Sequence, residues 1–144
     1  MPRPEEIIAE ARTWLEVPWV HQGRSRHGVD CLGLPVNVAH HFRLTDRDYV
    51  TYGYTPNWRL LYKMLDEACI RVKSKDDLRL ADVPVFWMDT GLVEEQMHLG
   101  IVADGGNPLS IIHCYRRVGK VCENVFDQYW IDRIDRIYRF KGVW

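Results

Sequence analysis

Cys31 stands in the run HGVDCLGL, directly after Asp30 and between Gly28 and Gly33. Small neighbours let backbone approach a thiol closely, and a helix is predicted to begin just after it. A thiol at a helix N-terminus feels the positive end of the backbone dipole, which favours the thiolate. Two histidines follow much later, His98 in QMHLGIV and His113 in SIIHCY, both in strand-like runs. An early cysteine with downstream histidines, joined only by folding, is the arrangement of a thiol hydrolase.

Each residue has a plainer reading. Free cysteine is often a small core residue, although core packing does not ask for two flanking glycines. His98 could be a solvated strand end, and His113 a half-buried ring bonded to a neighbour. A hairpin turning at DGGNP, centred near residue 106, sets His98 opposite His113 on one face. A slip of one residue would undo that. One histidine could then polarise the thiol and the other orient the first. Gly100 would leave space on the His98 face for the helix terminus that carries the thiol. The same three residues could form a zinc site, but no close ligand pair of the usual spacing supports it.

His21 and His27 precede Cys31 in a polar loop and could meet a substrate, while His40 and His41 suit the end of a helix. Cys69 reads as core. Cys114 should face away from His113, because neighbours alternate in a strand. Cys122 reads as structural.

The elements that must position these groups follow from periodicity. Residues 4–16 predict a helix, with Ile7, Ile8, Ala11, Trp14 and Leu15 on one face, Pro4 and two glutamates in its first turn, and Pro18 after it. Residues 19–30 read as a loop. A second helix is expected from about Cys31 to Phe42, with Pro35 near its first turn. After an irregular stretch with Gly53 and Pro56 as breakers, a third helix fits 57–72, capped by Thr55 or Asn57 and burying Leu60, Leu61, Met64, Leu65, Ala68 and Cys69. Then the texture changes to short runs rich in Val, Ile and aromatics: 83–88, 98–103, 109–115, 119–125 and 134–140. Turn signals separate them at 89–91, 104–108 and 117–119. Helices first and strands with short connections afterwards predict an α+β domain with one antiparallel sheet.

The 144 residues suit a single domain, 1–144. A formal net charge of −1 gives no electrostatic case for nucleic acid. No apolar run approaches the ~20 residues needed to span a bilayer, so no membrane role is expected. The N-terminal MPRPEEIIAE has no apolar signal region, which predicts synthesis in a cytoplasm without a signal peptide. Four irregularly spaced cysteines with no CxxC predict free thiols. No cofactor is expected.

Together, EVPWVHQGRSRHGVDCLGLPVNVAHHF, DVPVFWM, MHLGIV and IIHCYRRVGKV resemble the NlpC/p60 family of peptidoglycan cysteine peptidases, in the right order over nearly the whole chain. The resemblance is closest to the phage-type members, the phage tail and phage cell-wall peptidases. It implies a papain-like α+β fold in which N-terminal helices pack on a small antiparallel sheet, with the nucleophile at a helix N-terminus. It implies Cys31 as nucleophile, His98 as general base and His113 as the orienting third residue. The implied reaction is cleavage of amide bonds in peptidoglycan stem peptides, commonly between D-γ-glutamyl and a diamino acid, with the Cys31 N–H as an oxyanion donor.

Trp19 stands where many members have a tyrosine, and Leu32 where many have a serine that helps hold a substrate amine. Asp30 remains and could still meet one. The usual Gly-Asp before the first core strand is altered to Ala81-Asp82-Val83-Pro84. Trp19, His21, Gln22, Arg24 and Asp30 are expected to line the cleft, with Arg24 and Asp30 complementing acidic, amine-bearing muropeptides. Arg26 reads as solvated. The resemblance also implies phage tail proteins as partners, a prophage setting and action at the host cell wall from a virion tail. Two other readings keep the fold: a tail-assembly or structural protein with little activity, and an acyltransferase. Because all three catalytic positions are filled, the sequence favours the hydrolase.

Overall fold

The computed structural model describes residues 1–50, 52–53, 58–88 and 97–143. Helix α1 spans Pro4–Arg12, with proline in its first turn, Glu5 and Glu6 at the positive end and Arg12 at the negative end. It buries Ile7, Ile8 and Ala11. The predicted helix ran on to residue 16, but the chain leaves it at Thr13. Glu16 turns into the left-handed region at φ 76°, and its N–H bonds to the Val121 carbonyl while the Val121 N–H bonds to Val17. A strand edge therefore recruits these residues from the helix.

The expected loop 19–30 contains a small antiparallel ladder, β1 (Arg24–Ser25) with β2 (Gly28–Val29). Helix α2 follows at Gly33–His41 and buries Leu34, Pro35, Val36, Val38 and Ala39. A Cβ on Gly33 would stand 2.4 Å from the Gly23 carbonyl oxygen, so only glycine lets the loop close on the start of α2.

Helix α3 spans Trp58–Ala68 and buries Leu61, Tyr62 and Leu65, whereas the expected core residue Leu60 is exposed. The helix was expected to reach residue 72. Instead Cys69–Val72 form β3, paired antiparallel with β9 (Ile134–Phe140). Ile70 and Val72 are β-branched and find a long-range partner there, which outweighs helical periodicity. Cys69 is buried as expected, but in a strand. The expected caps Thr55 and Asn57, the breaker Pro56 and the turn at 89–91 lie outside the described residues.

Among the described residues the strands form three sheets and not one. The four-stranded sheet has the order β3-β9-β4-β5, with β4 at Val83–Trp87 and β5 at Met97–Leu99. The three-stranded sheet has the order β6-β7-β8, with β6 at Ile101–Ala103, β7 at Ser110–Tyr115 and β8 at Lys120–Val125. The β1–β2 ladder is the third. The run 98–103 was expected as one strand, and Gly100 divides it between sheets. A Cβ there would lie 2.8 Å from both the Ile111 side chain and the Ile112 carbonyl oxygen. The space beside Gly100 is thus filled by β7, not by the helix that carries the thiol. A short helix α4, Gln128–Ile131, seats Trp130 in a second core cluster with Phe86, Val102, Ile111 and Phe126.

Candidate active site

Cys31 lies two residues before α2, at the mouth of the helix. On one side it shares a depression with Trp19, His21, Asp30, Tyr52 and Leu61. On the other it shares one with His98, Cys114, Tyr115 and Arg116. Trp19 and Met97 belong to both. The thiol therefore sits between an acidic, aromatic side and a histidine side. The Arg116 guanidinium lies 5.0 Å from the centre of the Trp19 ring.

The two histidines meet, but not by the expected register. Ile101 pairs with Ile112, Val102 with Ile111 and Ala103 with Ser110. Extending that ladder sets Gly100, not His98, opposite His113. The register is offset by two residues, which preserves the face on which a side chain points. His98 and His113 become diagonal neighbours, close enough for their rings to touch. His98 Nε2 lies 2.7 Å from His113 Nδ1. A shared proton fits that gap, whereas a metal between them does not, because zinc–nitrogen bonds alone take ~2.0 Å each. Among the described residues no group of three or more His, Cys, Asp or Glu is placed to hold a metal ion.

His113 Nε2 in turn lies 2.6 Å from Asn124 Oδ1 on β8. Phe86, Tyr115 and Trp130 wall the two rings, with centroids 5.1–6.0 Å from that of His98. His98 is 4% exposed and His113 is fully buried. Burial, and then the neighbouring His113, hold the His98 imidazole well below the usual histidine value. Burial lowers His113 as well, opposed by its bond to Asn124. Both rings are neutral at neutral pH, so His98 can accept a proton.

The thiol is also held in its neutral form. Burial, and then the charge of Asp30, push Cys31 up, against a hydrogen bond from the Leu99 backbone N–H. The sequence predicted a helix dipole that favours thiolate. Asp30 cancels it, because its carboxylate accepts the Gly33 N–H at 2.8 Å, capping the helix end that would have helped the sulfur. Cys31 and His98 thus stand as a neutral thiol and a neutral imidazole.

Of the residues expected in the cleft, Trp19, His21 and Asp30 line it beside Cys31. Gln22 and Arg24 stand behind it and hold the loop. Asp30 is 4% exposed. It accepts the Gln22 N–H at 2.9 Å, Arg24 Nη1 at 3.0 Å and the Tyr52 hydroxyl, besides Gly33. Arg24 also bonds Asp48 and the Tyr49 carbonyl, so its charge is spent internally. With four internal donors, Asp30 is a structural anchor first. Arg26 is half exposed, yet it pairs with Glu10 and lies over the Trp14 ring.

Tyr52 and Asn124 were not foreseen. Tyr52 sits in a stretch without periodicity, so nothing in the sequence connects it to Asp30. Asn124 is visible only through the β7–β8 ladder, where Cys122 faces His113 and Asn124 lies two residues along on the same face. His27 is exposed, His40 bonds the Arg47 carbonyl and His41 lies 3.6 Å from Glu10. Cys114 is buried and donates to the Val29 carbonyl at 3.2 Å.

A larger cavity of about 460 Å³ lies between the start of α1, residues 78–82 and β9. No cysteine or histidine lines it, and its buried Asp82 is engaged by Arg139.

No family model matches the chain, and no curated protein matches its sequence. Solved structures do match its shape. The NlpC/p60 domain of the peptidoglycan hydrolase SagA superposes with a TM-score of 0.63 at 22% identity, over 96% of this chain and 99% of that one. An NlpC/p60 family protein from Bacillus cereus ATCC 10987 gives 0.68 at 21% identity, over 96% of this chain and 40% of its own length. An N-acetylmuramoyl-L-alanine amidase from Bacteroides uniformis ATCC 8492 gives 0.66 at 14%, over 96% of this chain and 98% of that one. The chain shares the α+β fold of the NlpC/p60 domains.

Proposed function

We propose that this chain is a cysteine hydrolase that cleaves amide bonds in peptidoglycan stem peptides. The observation that carries the reading is Cys31 and His98 in one depression, with His98 bonded to His113 at 2.7 Å. The fold neighbours include a peptidoglycan hydrolase and a muramoyl-alanine amidase, which supports the substrate class.

His98 takes the Cys31 proton as the sulfur attacks the scissile carbonyl. The carbon–oxygen π pair moves to oxygen, where the Cys31 backbone N–H is a candidate donor. On collapse the carbon–nitrogen bond breaks and the proton passes from His98 to the leaving amine. Water, deprotonated by His98, then displaces the thiol from the thioester and frees the acid. His113 keeps the His98 ring in place throughout.

The finer reading is a phage-type enzyme, made in the cytoplasm and carried on a virion tail to the host wall with tail proteins as partners. It rests on the sequence resemblance. Mass spectrometry of purified particles tests it: the chain in tail fractions supports it, and its absence from particles overturns it.

For the activity, purified muropeptides are incubated with the protein and the products weighed. New stem-peptide fragments, lost with Cys31→Ala, support the hydrolase. Intact muropeptides, together with functional particles assembled by Cys31→Ala, favour a structural tail protein. Transfer of the acyl group to an added amine in place of water favours the acyltransferase.

A further inference from the structure

We propose that Asn124 is a positioning residue that fixes where the protons lie on the histidine pair, leaving His98 Nδ1 bare to receive the thiol proton. The inference rests on the hydrolase reading for its purpose, but its geometry is independent of it.

Neutral imidazole has one N–H and one bare nitrogen. Asn124 Oδ1 faces His113 Nε2 at 2.6 Å. The Cys122 thiol lies 3.4 Å from the same oxygen, and an amide oxygen there accepts from both the thiol and a ring N–H. An oxygen has no proton to give, so His113 must carry its proton on Nε2. His113 Nδ1 is then bare and accepts from His98 Nε2 across 2.7 Å. With its proton on Nε2, His98 has Nδ1 left as an acceptor, the only form of the neutral ring that can take a proton from Cys31.

With the amide reversed, every proton in the series moves the other way. His113 would donate from Nδ1, His98 would hold its proton on Nδ1, and no base would remain for the thiol. One amide orientation at the sheet edge thus selects the competent tautomer of a ring two hydrogen bonds away. Asn124 is exposed whereas His113 is fully buried, so Asn124 can be replaced without opening the core.

The test reads protons first and turnover second. Long-range ¹H–¹⁵N spectra of the ¹⁵N-histidine-labelled protein at pH 7.5, assigned with His98→Gln and His113→Gln, report which nitrogen of each ring is protonated. The expected result is Nε2–H on both rings. Asn124→Ala should give His113 a mixture of tautomers. Its kcat on muropeptides should fall roughly tenfold or more with KM little changed, since a wrong tautomer costs turnover and not binding. Asn124→Asp restores an acceptor for Nε2–H and should recover most of the loss. Nδ1–H on either ring of the wild type overturns the proposal. So does Asn124→Ala with unaltered tautomers. A protein that cleaves no muropeptide overturns the hydrolase reading, while the tautomer result still decides this one.

Discussion

Two polar networks flank Cys31, and they are built on opposite plans. On one side Asp30, Arg24, Asp48 and Tyr52 form a charged cluster in which each carboxylate oxygen of Asp30 already has two donors. On the other, His98, His113 and Asn124 form a neutral series with one proton per ring. A saturated ionic cluster has no proton free to move. It fixes the loop to the start of α2 and so fixes the sulfur. A neutral imidazole pair can take a proton and return it. On the proposed mechanism the difference separates holding from reacting: charge anchors the proposed nucleophile, and tautomerism prepares the proposed base.

The largest break is expected on the reacting side. His98→Ala should lower kcat by on the order of 10³-fold, within the range for a general base, and Cys31→Ala should add little to it because the two act as a unit. His113→Ala should cost less, roughly tenfold to a hundredfold, as it only orients His98. Steady-state kinetics on one muropeptide measures all three. A His113 loss as large as that of His98 would make His113 itself the base.

On the holding side the effect should appear in stability. Arg24→Ala leaves Asp30 buried with its cation removed, at a cost of about 3 kcal/mol, read by urea unfolding. Asp30→Asn should lower turnover equally on substrates with free and with blocked amines, because the carboxylate is engaged by the protein. A loss confined to free-amine substrates would give Asp30 a direct role in binding.

A smaller effect separates the networks by pH. His98 and His113 have native values below the unfolded one near 6.5. Their contribution is therefore fully present above that value and is lost as pH falls toward the native values. With both rings the slope reaches at most about 2.7 kcal/mol per pH unit. Urea midpoints from pH 7 to 5 should fall in the wild type and fall less in His98→Leu. Equal slopes would mean the rings are not held neutral.

The smallest effect concerns the thiols. Cys69 and Cys114 are buried, while Cys31 and Cys122 are partly exposed. Brief iodoacetamide treatment with peptide mapping should label Cys31 and Cys122 before the other two. Early labelling of Cys114 would show that the depression beside Cys31 opens widely.

Much of the reacting side was legible before folding. Cys31, His98 and His113 stand out because their types are rare and their settings unusual. The predicted hairpin was offset by two residues, and the histidines still met, because strand side chains repeat every two residues. The holding side was less legible. Arg24 and Asp30 looked like complementary charges for a substrate, and only the structure shows each taking the other. Nothing local points from Tyr52 to Asp30. Asn124 needed the β7–β8 register. Cys69 shows the same limit from another direction: its helical spacing was real, but pairing with Phe140 on β9 cannot be read from neighbours in the chain.

The most direct measurement is mass spectrometry of purified muropeptides after incubation with the wild-type chain and with Cys31→Ala. Stem-peptide fragments cut at an amide bond by the wild type, and none from the variant, are the expected result. Identical fragments from both, or none from either under conditions where a known peptidoglycan peptidase cuts the same sample, would contradict Cys31 as the nucleophile of a cell-wall hydrolase.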